Sequence, residues 1–308
     1  MEFPQPGILI RHTGLKQDPI ITYMKKLIPI ILLLFLSSAG PLICQSQPVK
    51  ADIKSDGFRL DANFYPSGKD SLRPAVILLQ GFPGNNSSPL GLAEKLNGAG
   101  LNVLAFNYQG SFASEGEFSF DNSINNVKAA YDFLTAPGNI TGYKIDTSMI
   151  VVCGYSFGGA VALESGMYWP EIRNLIAIGN ADNSVSLRKT MTDPEFRKKY
   201  MEMITSGFEP SGPLRGDLKA QFAYYTEHVD RYDLVLNAGL LAGKRVFFIV
   251  GFRDNTSLME VNTLPLYRKL VVMNPEIVTI TGFETDHSFR NVRNELAESI
   301  VHWICSLK

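Results

Sequence analysis

Short apolar runs alternate with longer stretches of helical period along most of this chain. The apolar runs are residues 75–79, 103–106, 150–153, 175–178, 246–250 and 277–280. The stretches of helical period are residues 90–99, 123–134, 157–167, 258–269 and 292–304. Runs that are apolar throughout are typical of strands covered on both faces. Their alternation with helices therefore predicts an α/β protein with a mostly parallel central sheet and helices on both faces.

Two regions depart from this rhythm. Residues 58–65 alternate apolar and polar side chains, which predicts an early antiparallel strand. Residues 181–243, called the lid segment below, carry mixed helical signals and many charged and aromatic residues. An insertion of that composition is more typical of a small helical cap than of a flexible linker. We therefore predict one domain over residues 45–308 with a lid inserted at about 181–243.

The composition excludes several classes of protein. The 308 residues include 29 Lys and Arg against 30 Asp and Glu, and 45% are hydrophobic. A chain this neutral and apolar is not disordered overall, and it has no bulk charge for binding nucleic acid. Its cysteines, Cys44, Cys153 and Cys305, form neither a disulfide framework nor a metal-finger spacing. No phosphate loop, flavin fingerprint or metal-ligand cluster occurs, so we expect no cofactor.

Residues 24–41 have the pattern of a secretory signal. Two lysines precede an apolar run at 27–36, and small residues follow it. Cleavage after Ala39 is expected, and a later cut near Cys44 or Ser46 is the alternative. Pro29 and the short length of the run argue against a transmembrane helix, so we expect no stable membrane span after processing. The pattern predicts export to the periplasm or secretion.

The charged end of this signal lies well inside the chain. Because a signal begins at its charged end, we expect translation to start at Met24 and residues 1–23 to be absent from the natural protein. Lipidation of Cys44 is a less favoured alternative, since the preceding Ile43 is not a small residue. Residues 1–44 are thus interpreted as an N-terminal extension and signal peptide.

A serine between glycines follows the apolar run at 149–153. The order is Gly154, Tyr155, Ser156, Phe157 and Gly158, and a helical stretch comes next. Glycines two residues before and after a serine allow a tight turn that lifts its hydroxyl clear of the sheet, because a Cβ there would collide with a neighbouring strand or helix. The start of the following helix favours negative charge near the serine. Ser156 is the candidate nucleophile.

This strand, turn and helix resemble the α/β-hydrolase superfamily, and the resemblance runs across essentially the whole exported chain. The segment 107–116 is similar to the Arg-Gly-x-Gly-x-Ser-x-Gly loop of the monoglyceride-lipase and serine-aminopeptidase branch, although Gln109 and Phe112 depart from it. In the superfamily the nucleophile, the acid and the histidine follow in that chain order. The resemblance implies an α/β-hydrolase fold and a Ser-His-Asp triad.

His287 and Asp254 occupy the expected places in that order. His287 follows the last apolar run on a short turn, and Asp254 follows the run before it, so both are expected at the carboxyl edge of the sheet. Asp182, after the run at 175–178, is the rival acid, whereas Asp286 adjoins His287 too closely to orient it easily. The other histidines lie before the signal, in the lid segment and in the last helix: His12, His228 and His302.

The turn after the first buried strand reads Gln-Gly-Phe-Pro-Gly over residues 80–84. Relatives commonly carry His-Gly-x here, and the amide of x joins the amide after the nucleophile to bind the oxyanion. The resemblance therefore implies the backbone N–H groups of Phe82 and Phe157 as the oxyanion hole. Gln80 replaces the usual histidine, and a plain Gly/Pro turn is the structural alternative.

Three functions are compatible with these residues. The leading hypothesis is an exported serine hydrolase that cleaves carboxylic esters of small molecules through an acyl-enzyme. The second is an exported aminopeptidase of the same fold that acts on short peptides, in which Glu195 or Glu202 would meet the substrate ammonium. The third is a non-catalytic binding protein on a hydrolase scaffold. The three candidates Ser156, Asp254 and His287 stand in order, which favours an enzyme.

Overall fold

The computed structural model describes residues 47–84 and 88–307. The predicted signal at 24–41, the expected start at Met24 and the candidate lipidation site Cys44 lie outside the described residues and stay predictions. Within the described parts of the chain, no helix is both long and apolar enough to span a bilayer.

A single eight-stranded sheet organises the domain. Its strands are β1 (Val49–Ser55), β2 (Phe58–Tyr65), β3 (Arg73–Leu79), β4 (Asn102–Phe106), β5 (Ile145–Tyr155), β6 (Asn174–Ile178), β7 (Arg245–Gly251) and β8 (Val278–Phe283). They lie in the order β1-β2-β4-β3-β5-β6-β7-β8. The first two strands pair antiparallel, β2 is antiparallel to β4, and the remaining neighbours are parallel. The prediction of a mostly parallel sheet with one early antiparallel strand is confirmed.

Burial explains which strands could be predicted from the sequence. Every residue of β4 and β6 is buried, as expected for strands with helices on both faces. By contrast, β1 alternates exposed and buried residues at the edge of the sheet, and its antiparallel pairing sets Ile53 opposite Leu60. No strand was predicted at Val49–Ser55. Its apolar and polar residues alternate only weakly, because several of them are charged.

Helices cover both faces of the sheet. They are α1 (Leu92–Gly98), α2 (Phe120–Thr135), α3 (Pro137–Tyr143), α4 (Phe157–Tyr168), α5 (Asn183–Thr192), α6 (Pro194–Ser206), α7 (Leu218–Glu227), α8 (Met259–Asn262), α9 (Leu264–Met273) and α10 (Arg293–Ser306). Apolar residues of α2, α4 and α9 join one core layer, and those of α1 and α10 join the other. The predicted single helix at 258–269 is wrong: α8 ends at Asn262, and a separate helix begins at Leu264 with Pro265 in its first turn, where proline is tolerated.

The lid segment lies between β6 and β7 and contains α5, α6 and α7, followed by 3₁₀ turns at Val229–Tyr232 and Ala238–Leu241. Each of its three helices begins after an aspartate whose carboxylate accepts a backbone N–H from the first turn. These aspartates are Asp182, Asp193 and Asp217. Aspartate at a helix start satisfies amide groups that have no partner within the helix. Local capping therefore fixes where the lid helices begin.

Candidate active site

Ser156 stands on a strained turn between β5 and α4. Its backbone adopts φ 56° and ψ −118°, a region that residues other than glycine rarely occupy. Backbone hydrogen bonds hold the turn. The Ser156 N–H donates to the Ile178 carbonyl at 2.8 Å, and the Ser156 carbonyl accepts from the Gly159 N–H at 2.9 Å and the Ala181 N–H at 3.2 Å. The surrounding fold therefore stabilises a backbone conformation that is unfavourable for an isolated serine residue.

The glycines of this turn are required by close backbone approach. A Cβ placed on Gly154 would lie 1.8 Å from the carbonyl oxygen of Gly158, and one placed on Gly158 would lie 2.6 Å from the Leu79 and Gln80 carbonyl oxygens. A Cβ on Gly159 would lie 2.7 Å from Cβ of Asn180. The prediction that side chains at these positions would collide with neighbouring elements is confirmed.

Ser156 and His287 are in direct contact. The Ser156 Oγ lies 3.0 Å from His287 Nε2, and His287 Nδ1 lies 2.6 Å from Asp254 Oδ2. The histidine side chain is 18% exposed and the aspartate side chain 1% exposed. An imidazole in this position can accept the serine proton through one nitrogen while its other nitrogen donates to a carboxylate. The structure thus brings together the three side chains that were predicted to cooperate.

Two neighbours fix the position of the histidine loop. The Tyr155 hydroxyl donates to the His287 carbonyl at 2.9 Å, and the two rings lie 5.1 Å apart. Gly179, which has a positive φ, passes beside the pair, and a Cβ there would lie 3.3 Å from Asp254 Oδ2 and 3.5 Å from His287 Nδ1. Neither Tyr155 nor Gly179 was singled out for this role from the sequence.

Asp254 divides its two oxygens between backbone and imidazole. Oδ1 accepts the N–H groups of Thr256 at 2.9 Å and Ser257 at 2.8 Å, while Oδ2 faces His287. Both amides belong to the turn after β7, two and three residues beyond Asp254. The carboxylate is therefore held in one orientation before the imidazole acquires charge.

The other candidates have structural contacts instead. Asp182 accepts the N–H and the hydroxyl of Ser184 at the start of α5, and Asp286 accepts the same two groups of Ser288. The ring of His228 contacts a backbone carbonyl within the lid segment and is exposed. His302 is also exposed, on α10. His12 lies outside the described residues.

The turn at Gly81 and Phe82 lies beside the serine. A Cβ placed on Gly81 would be 3.4 Å from Ser156 Cβ. Among the residues that the structure describes, the N–H groups of Phe82 and Phe157 have no backbone acceptor, which leaves both available to a ligand. The buried Tyr108 hydroxyl donates to the Gln80 carbonyl at 3.1 Å. Tyr108 thus supports this turn, a contact that the sequence did not predict.

A cavity of about 580 Å³ opens over Ser156 and His287. Core elements line one side of it and the lid segment the other. The aromatic side chains of the lining are Phe82, Phe118, Phe120, Tyr155, Phe157, Phe196, Tyr200, Phe208, Phe222, Tyr225 and Tyr232. Several of these rings contact one another at centroid distances below 6 Å, such as Phe120 with Phe157 at 5.5 Å. The cavity is therefore suited to an apolar or aromatic group.

Charge is scarce in this cavity. Among its described lining residues there is no Asp or Glu, and Lys189 is the one permanently charged side chain. Glu195 is exposed and pairs with Lys199 at 2.8 Å, and Glu202 is also exposed on α6. The two acidic residues that an aminopeptidase was expected to use therefore do not line the cavity.

Other reactive groups lie away from the cavity lining. Cys153 is buried in β5, where desolvation raises the pKa of its thiol, and Cys305 is exposed on α10. A buried thiol with a raised pKa is a poor nucleophile. Over residues 47–84 and 88–307, no group of three or more His, Cys, Asp and Glu side chains is arranged to hold a metal ion.

Glu164 is a buried acid on α4, the helix that follows the Ser156 turn. It is 1% exposed, and its Oε2 has no hydrogen-bond partner among the described residues. Burial raises the pKa of its carboxyl to about 8, and the charge of Asp182 adds to this effect. The pKa of Asp182 is itself raised to about 6, mainly by burial. Nothing in the helical period of α4 predicts an acid at a fully buried position.

Glu164 makes the stability of the fold depend on pH. An unfolded glutamate releases its proton near pH 4.3, whereas folded Glu164 holds it until about pH 8, so stability falls as the pH rises through that window. Glu164→Gln, which resembles the protonated acid, is expected to raise the melting temperature relative to the wild type, with a difference that grows from about pH 5 to pH 8.

The matched control for this prediction is Glu202→Gln, which removes an exposed carboxylate from α6. Its melting temperature should follow that of the wild type at every pH. A difference between Glu164→Gln and the wild type that stays constant across the window would contradict the prediction. Asp182 acts in the same direction, so a smaller slope between about pH 4 and pH 6 should persist in the variant.

Comparisons with known structures establish the fold. An esterase of Pyrococcus furiosus, Pf2001, superposes with a TM-score of 0.59 at 18% identity, over 84% of this chain and 93% of that one. Est1E of Butyrivibrio proteoclasticus has a TM-score of 0.59 at 15% identity, over 85% and 98%. A puromycin-hydrolyzing peptidase of Mycobacterium tuberculosis has a TM-score of 0.60 at 15% identity, over 87% and 40%. The chain has the α/β-hydrolase fold.

Comparisons of sequence agree with this fold. The alpha/beta hydrolase domain-containing protein WAV2 of Arabidopsis thaliana is 32% identical over 163 residues, which is 50% of this chain and 49% of that protein. An uncharacterized protein of Mycobacterium tuberculosis strain H37Rv is 32% identical over 136 residues, 42% of this chain and 47% of its own. The chain thus spans about half the length of the curated relatives it matches. No family model matches it.

Proposed function

We propose that this protein is a serine hydrolase that cleaves carboxylic esters with apolar or aromatic groups. The observation that carries the proposal is the hydrogen-bonded chain from Ser156 through His287 to the buried Asp254, placed at the opening of an aromatic cavity. Esterases and a peptidase of the same fold support hydrolysis as the reaction class.

The proposed mechanism uses the contacts of these side chains. His287 Nε2 accepts the proton as the Ser156 Oγ attacks the ester carbonyl, and Asp254 stabilises the imidazolium that forms. The N–H groups of Phe82 and Phe157 bind the oxyanion of the tetrahedral intermediate. The protonated histidine then gives its proton to the leaving alcohol. Water, activated by the same histidine, attacks the acyl-enzyme and releases the acid.

The charge of the cavity favours a neutral ester over a peptide with a free amino terminus as the substrate. A peptide's free ammonium would be removed from water on entry, and burying a charge without a partner is costly. No carboxylate among the described lining residues is available to pair with it, and Lys189 would repel it. A neutral ester meets neither penalty. Est1E, a structural neighbour, is known with ferulic acid bound, an aromatic acid that fits the same preference.

Comparing two substrate classes tests this proposal. We expect turnover of p-nitrophenyl esters with acyl chains of intermediate length, and turnover of aminoacyl-p-nitroanilides lower by at least about 100-fold in kcat/KM. Preferred cleavage of the anilides would favour the peptidase. Labelling with a fluorophosphonate probe separates both enzymes from a binding protein, because a folded protein that is not labelled would have no activated serine.

We also propose that the enzyme acts outside the cytoplasm, on the basis of the signal-like pattern at 24–41. Expression from Met24, followed by fractionation and mass measurement, tests this. Export with loss of the residues up to Ala39 is the expected result. An uncleaved product that stays in the cytoplasm would contradict it.

A further inference from the structure

Lys189 lies where the lid segment meets the cavity. It stands on α5, three residues after Ser186 and six after Asn183, and all three line the cavity. Residues three apart share a face of a helix, so this face of α5 is turned toward the space above Ser156. Lys189 is also exposed to solvent. It therefore stands at the rim of the cavity, with access to both water and a bound molecule.

The ammonium of Lys189 has an aromatic neighbour and no anionic one. Its Nζ lies 4.4 Å from the centroid of Phe196, which also lines the cavity. No carboxylate lies within ion-pair distance of it in the described part of the chain. On the next helix, the Arg197 guanidinium lies 5.3 Å from the ring centroid of Phe222, another lining residue. The lid side of the cavity is thus aromatic, and Lys189 is the one permanently charged residue among its described lining residues.

The rest of the lining cannot neutralise this charge. Its remaining polar groups are neutral amides and hydroxyls, apart from His287, which contacts Asp254 and Ser156. An exposed ammonium that lacks a carboxylate partner is free to pair with the anionic group of a molecule bound beside it. The cation–π contact with Phe196 holds the lysine near the rim without cancelling its charge.

We propose that Lys189 selects esters whose apolar part ends in an ionised carboxylate. This inference rests on the proposed esterase function and names its substrate class. The apolar body of such a substrate packs against the aromatic lining, its ester carbonyl lies at Ser156, and its carboxylate pairs with Lys189 at the rim. One ammonium on a flexible stem suits a single carboxylate, since it presents a compact charge with rotatable donors.

Two esters that differ only at the far end test the inference. One is p-nitrophenyl octanoate, and the other is the mono-p-nitrophenyl ester of octanedioic acid, which ends in a carboxylate. The readout is the ratio of kcat/KM for the second ester to that for the first. We expect Lys189→Met to lower this ratio roughly three- to fivefold, mainly through KM, as for loss of one favourable surface ion pair. Lys189→Arg should retain most of it.

The matched control is Lys198→Met, which removes one positive charge from the same lid segment at an exposed residue that does not line the cavity. Its ratio should stay within about twofold of the wild type, and added salt should reduce the wild-type ratio toward that of Lys189→Met. An unchanged ratio in Lys189→Met, or an equal fall in Lys198→Met, would overturn the inference. Failure of the wild type to cleave either ester would instead overturn the proposed function.

Discussion

Replacing Ser156 by alanine is expected to lower kcat for a p-nitrophenyl ester by roughly 10⁴-fold or more. Losing the nucleophile of a triad removes the acyl-enzyme route altogether, and only binding and oxyanion stabilisation then assist attack by water. The measurement is steady-state hydrolysis by purified, folded protein, together with fluorophosphonate labelling. Turnover at the wild-type rate would show that another residue performs the attack.

A second variant, Ser156→Gly, tests whether the backbone at this position is strained. Both substitutions remove the hydroxyl, so both should abolish labelling. Only glycine, however, adopts φ 56° and ψ −118° without a Cβ penalty. We therefore expect Ser156→Gly to unfold with a free energy about 1 kcal/mol higher than Ser156→Ala, because relief of strain exceeds the entropy lost by glycine. Equal stability of the two variants would mean that the strain of the turn is no larger than the entropy cost of glycine.

The sequence predicted the fold well because the strands are buried on both faces. Such strands appear as uninterrupted apolar runs, and the glycines around Ser156 mark a backbone approach that nothing larger permits. The chain order of Ser156, Asp254 and His287 followed from the resemblance together with the positions of these runs. Contacts that a motif or the strand pattern marks were therefore predictable from the sequence.

Contacts between distant segments that carry no recognisable motif were not accessible in this way. The hydroxyl of Tyr108 supports the turn at Gln80, and the guanidinium of Arg215 from the lid segment donates to the carbonyls of Phe112 and Ser114. Nothing in local period or spacing marks either residue. Likewise, which face of α5 meets the cavity depends on how the lid segment packs, so the position of Lys189 could be found only from the structure.

Asp254→Asn is expected to lower kcat by about 10⁴-fold, although asparagine has the same size and shape as aspartate. The two backbone N–H groups of Thr256 and Ser257 donate to Oδ1, so the amide oxygen of an asparagine must take that side and its NH₂ group must face His287 Nδ1. Nδ1 would then have to accept a hydrogen bond, which places the imidazole proton on Nε2. In that tautomer Nε2 cannot accept the proton of Ser156.

The rival acid provides the matched control for this prediction. Asp182→Asn makes the same chemical change at an aspartate that caps α5, and asparagine is an equally good residue at a helix start. We expect its kcat to stay within about threefold of the wild type, since its carboxylate contacts Ser184 and not His287. Loss of activity in Asp182→Asn with retention in Asp254→Asn would reverse the assignment. Because both variants keep a side chain of the same size, a difference between them reports the charge and hydrogen-bonding pattern at the imidazole rather than packing.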